Sequence, residues 1–154
     1  MRDRWLRIGA LAAGLFAINI IARAVSRFAY PDNGEAQDRV SLAMFAAIGL
    51  VFVVLAFLWG RQRHVGDVIG DLGGGAVIAC ALTILIGPLL FGGNPFGGGA
   101  GEFFAQIWLY AAFAVGGFVV GYLLLVALGK DYRSRQLARI AAIRAAKPRK
   151  VVRR

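Results

Sequence analysis

Histidine and cysteine are almost missing from this chain: His64 and Cys80 are the only two among 154 residues. A lone cysteine excludes an internal disulfide and any thiolate cluster for zinc, so neither metal nor cofactor is expected. A single histidine beside eight carboxylates cannot supply a Ser/His/Asp or Cys/His set at one depth, and the expectation is a protein that is not an enzyme. Acidic residues are also few, with eight Asp and Glu against eighteen Lys and Arg, a net charge of +10. Charge is scarcest inside the long apolar runs: Ser41 to Trp59 carries none.

What is present is hydrophobic residue, 59% of the chain, well above the level of an ordinary soluble domain. A span needs about 20 mostly apolar residues to cross a hydrocarbon core of about 30 Å. Four segments meet this, at about 6–28, 41–59, 68–91 and 103–128. The first stops before Tyr30-Pro31, the second at Gly60-Arg61 and the fourth at Gly129-Lys130, because proline lacks a helical donor and glycine with a following cation suits a helix end. Gly87-Pro88 predicts a kink near the end of the third. Backbone polar groups in lipid must be paired internally. The reading is therefore all-α, an integral membrane four-helix bundle over 1–129 with a basic tail over 130–154 that begins as a short helix.

The basic residues sort by side. Arg2, Arg4 and Arg7 precede the first span, Arg61 and Arg63 join the second to the third, and Lys130 opens a basic run that continues to Arg154. The opposite loops, PDNGEAQDRV and GGNPFGGGAGE, hold only Arg39 against Asp32, Glu35, Asp38 and Glu102. Cytoplasmic loops retain Lys and Arg, so both termini are expected in the cytoplasm. The preference for Arg over Lys, with abundant Ala and Gly, points to a bacterial inner membrane. MRDRWLR followed by an apolar core and Ala22-Arg23-Ala24 also has the order of a signal peptide. Arg23 within that site and the length of the run argue for an intact first span. The Gly92–Gly101 loop has no Gly-Lys-Ser/Thr ending and is no phosphate loop.

Ionisable groups inside a membrane are costly and mark candidate sites. Asn19, Arg23 and Arg27 recur every four residues in the first span, as Glu102, Gln106 and Tyr110 do in the fourth. Each set shares one helical face. Because the two spans run in opposite directions, Arg27 matches Glu102 in depth, Arg23 matches Gln106 and Asn19 matches Tyr110. The six form a candidate polar seam, serving either as structural glue or as a cleft whose Arg23 attracts an anion.

His64, Asp67 and Asp71 are spaced by three and four, a weak candidate for an ion or proton site on one helix face. Arg61 and Arg63 are near enough to neutralise these acids. Gly66, Gly70, Gly73 and Gly74, and in the fourth span Gly117 and Gly121, follow the small-xxx-small pattern of close helix packing. The basic tail suits anionic lipid headgroups, and lacks the aromatic residues, Tyr132 apart, that nucleic acid would stack on. Three functions follow: an accessory, assembly or scaffolding subunit docked to a larger membrane protein; a small, oligomeric transporter or channel using the polar seam; or a membrane enzyme acting on lipid through His64, Asp67 and Asp71. Packing seams outnumber candidate sites, which favours the first.

Overall fold

The structure is a computed structural model that describes residues 2–146. Its regular elements are all helical: α1 (Arg2–Ala29), α2 (Gly34–Gly60), α3 (Val65–Ala81), a π-helical turn (Leu82–Ile86), α4 (Gly87–Leu90), α5 (Gly99–Ala127) and α6 (Tyr132–Ala146). Four helical stretches are long and apolar enough to cross a membrane, the third being Val65–Leu90 taken as one rod. Large apolar side chains such as Val77, Trp108 and Val115 are more than three-fifths exposed, a surface suited to lipid rather than to water.

The helices overrun the apolar segments that define them. α2 starts at Gly34 rather than near Ser41, because the Asn33 side chain accepts the Ala36 N–H at 3.0 Å and caps the helix outside the apolar run. α5 ends in the opposite manner. Gly129 takes a φ of +60°, which lets its own N–H donate to the Val126 carbonyl and the Lys130 N–H donate to that of Leu125, the two bonds of a Schellman ending.

α2 is the hub, packed on α5, α1 and α3. Without a hydrophobic drive between helices in lipid, close backbone approach supplies the packing. Gly117 and Gly121 of α5 lie directly on the α2 backbone at Gly49 and Val53, with Phe45 and Phe113 stacked beside them at 6.0 Å. α1 meets α3 through Ile8 and Leu11, which rest on Gly74 and Gly75. Leu15, Ile48, Leu72 and Ala79 fill the centre. α1 and α5 face each other across the bundle and have little direct contact.

The third span is broken where its sequence predicts a kink. Pro88 has no N–H and its ring crowds the carbonyl four residues back. The preceding turn widens to π geometry, and the Gly87 N–H donates to the carbonyl of Leu82, five residues earlier.

At the far end of the chain, the Ser134 N–H donates to Asp131 Oδ2 at 3.1 Å, so Asp131 opens α6. Hydrogen bonding from Ser134, its side chain first and then its backbone, holds the Asp131 carboxyl below its ordinary value. A depressed folded value makes the capping contribution complete above about pH 4, the unfolded value, and lost as the pH falls through the folded one. The Ser134 amide NMR shift will hold steady above that pH and move below it, and Asp131→Ala will move it at every pH. Residues 147–154 of the basic tail lie outside the described residues.

Candidate functional site

The six seam residues come together, though not as a seam. Asn19, Arg23, Arg27, Glu102, Gln106 and Tyr110 all line one cavity of about 860 Å³. It opens toward the end of the bundle that carries the α1–α2 and α4–α5 loops. Four walls enclose it: α1, the start of α2, the π turn with α4, and the start of α5. No hydrogen bond or ion pair among the described residues joins the α1 stripe to the α5 stripe. The matching depths read from sequence therefore correspond to opposite walls of a vestibule, because α1 and α5 sit across the bundle from one another.

Its floor is polar: Asn19, Thr83 and Tyr110 lie within about a turn and a half of the midpoints of their spans, and Arg23 about two turns from that of α1. Asn19, 1% exposed, donates through Nδ2 to the Met44 sulfur and accepts from Arg23 Nε at 3.1 Å. Gly87 makes this arrangement possible: a Cβ there would meet Asn19 Oδ1 at 2.9 Å and Arg23 Nε at 3.0 Å. Beside them lie Thr83, in the π turn, and Tyr110. Both side chains are buried, and neither hydroxyl has a hydrogen-bond partner. Leaving such a group unpaired costs about 1–3 kcal/mol. Two of them at one depth, lining the same cavity as a half-buried guanidinium, make a donor set suited to an anionic group.

The upper wall differs. Arg27 is exposed and donates to the Phe91 carbonyl, tying α1 to the end of α4. Glu102 and Asp38 are exposed at the rim. A smaller adjoining cavity of about 280 Å³ continues between Arg23, Arg27 and the Gly93–Pro95 turn.

At the opposite, basic end, His64, Asp67 and Asp71 are not gathered around a common point. His64 caps α3, its Nδ1 accepting the Gly66 N–H at 3.3 Å. Asp67 is exposed, whereas Asp71 is 2% exposed. No group of His, Cys, Asp and Glu suited to a metal ion occurs among the described residues. Asp71 is instead held by Arg4 Nε at 2.7 Å and Arg63 Nη1 at 2.9 Å, with Arg7 Nε 3.8 Å away. Arg63 is the neutralising partner that sequence proximity anticipates; Arg61 makes no such pair. Of the packing glycines, Gly70 lies under Arg4 and Gly74 under Ile8, but Gly66 touches only its own His64 and Gly73 faces open space.

Reading the sequence alone missed Thr83, Gly87, Gly75 and the two arginines Arg4 and Arg7. Thr83 had a signal: it is the one hydroxyl between Val65 and Leu90, and it sits near the depth of Asn19. Arg4 and Arg7 had none, since their partner Asp71 is far along the chain. Comparison with protein families, with characterised proteins and with solved structures found no match.

Proposed function

We propose that this is a small membrane protein of the transporter or channel class that admits an anionic solute to the vestibule, without chemistry, on an anchor formed by Arg23. The observation that carries this reading is the cavity lining itself, which combines a half-buried guanidinium with two buried hydroxyls that have no partner. The broken third span supports it, because its π turn, toward the outer end of Val65–Leu90, brings Thr83 to the cavity wall, and interrupted helices are where transporters expose polar groups to substrate. The distribution of Lys and Arg supports a placement in a bacterial inner membrane with both termini cytoplasmic, so that the vestibule opens outward. Anionic headgroups beneath the basic tail complete that placement.

Uptake of acetate, succinate and inorganic phosphate into proteoliposomes tests the reading. Saturable uptake of at least one is expected, falling about tenfold or more in Arg23→Gln, the scale of one lost charge-assisted bond. Tyr110→Phe removes a buried hydroxyl that bonds nothing in the fold, so its melting temperature will equal or exceed the parent's while its uptake drops. No uptake of any of the three, together with co-purification of a larger membrane protein at fixed ratio, would return the reading to an accessory subunit.

A further inference from the structure

A second site lies at the other end of the bundle and does not depend on the vestibule. Asp71 alone is surrounded by Arg4, Arg7 and Arg63. Three guanidiniums bring far more N–H donors than one carboxylate accepts, and they leave an excess of positive charge at a single point. Arg7 Nε is buried and makes no hydrogen bond. The Arg4 side chain is 56% exposed and that of Arg7 39%, so their remaining donors are open to the surroundings. Asp67, one turn earlier on α3, is exposed and pairs with no cation among the described residues.

The surroundings identify the ligand. Trp5 and Leu6 beside Arg4 are 68% and 63% exposed, and Arg63 lies 5.5 Å above the Trp59 ring. Tryptophan settles at headgroup depth in a bilayer, so the donors sit at the level of lipid phosphates. Guanidinium clusters match the several acceptor oxygens of a phosphate. We propose that Arg4, Arg7 and Arg63 hold the phosphate of an anionic phospholipid in the leaflet facing the chain termini, with Asp71 as the carboxylate that orders the three side chains.

The test uses the full-length protein, delipidated in mild detergent and titrated with phosphatidylglycerol, phosphatidylcholine or inorganic phosphate, with bound lipid counted by native mass spectrometry. One phosphatidylglycerol is expected to remain bound where phosphatidylcholine does not. Arg7→Gln, which breaks no hydrogen bond in the structure, will weaken retention about tenfold or more. Asp71→Asn keeps all three cations and a side-chain oxygen that still accepts from them, removes the competing negative charge, and will retain the lipid at least as well. Replacing Arg133 and Arg135 of the tail by Gln will leave this lipid bound. Equal retention in Arg7→Gln and the parent would overturn the proposal. So would equal retention of phosphatidylcholine, or displacement of the lipid by millimolar inorganic phosphate, which would make the site one for a soluble anion.

Discussion

Gly121→Val and Gly117→Val will each destabilise the protein by about 3 kcal/mol or more, at the upper end of what overpacking costs, and Gly116→Val will not. At both sensitive positions the new Cβ would run into α2 backbone, the carbonyls of Gly49 and Val53. Backbone cannot rotate aside as a side chain does, so α2 and α5 must separate along their length. That separation also breaks the Phe45–Phe113 stack and withdraws Tyr110 from the vestibule floor. Gly116, one residue away, has nothing within 4 Å of an added Cβ, and a larger side chain there meets lipid. Reversible unfolding in mixed micelles will order the three variants. Similar losses at Gly116 and Gly117 would contradict the close α2–α5 contact.

The same pair of helices shows what the sequence makes legible. Apolar length and end signals are local properties, so the four spans and the stop at Gly129 can be read without a partner. Gly117 and Gly121 are likewise legible as a seam, because four-residue spacing puts them on one face whatever lies opposite. Phase relative to a neighbour is not local. In the Gly73-Gly74-Gly75 run each residue turns by about 100°, and only the direction of α1 decides that Gly74 and Gly75, not Gly73, lie beneath it. The polar stripes show a related limit. Residue spacing gives the depth of Asn19 and Tyr110, but only the order of helices around the bundle decides whether equal depths mean contact or opposite walls. The kink at Pro88 was readable from one residue; that it takes the form of a π turn placing Thr83 in the vestibule floor was not. Asp71 illustrates the remaining gap, since spacing assigned it to a face with His64 and Asp67, whereas its partners come from α1 and the α2–α3 loop.

Removing Arg4 and Arg63 together will cost about 3–5 kcal/mol, the penalty for stranding a buried charge, while either removal alone will cost about 1 kcal/mol. The difference arises because the Asp71 carboxylate, 3% exposed, keeps one hydrogen-bonded cation in each single variant and none in the double. Arg7, at 3.8 Å, is too far to take over as a hydrogen-bond donor in the same geometry. Such non-additivity is expected for side chains that share a partner. Two explanations of the loss remain distinct at that point: a stranded carboxylate, or the packing lost with two long arginine stems. Adding Asp71→Ala to the double variant separates them. If the charge is the cause, the triple variant will recover most of the lost stability, despite having fewer native side chains than the double. If the stems are the cause, deleting a further buried side chain will lower the stability again. Recovery in the triple variant, read as unfolding free energy in the same micelles, would establish that the stranded Asp71 charge, and not the lost arginine stems, causes the loss.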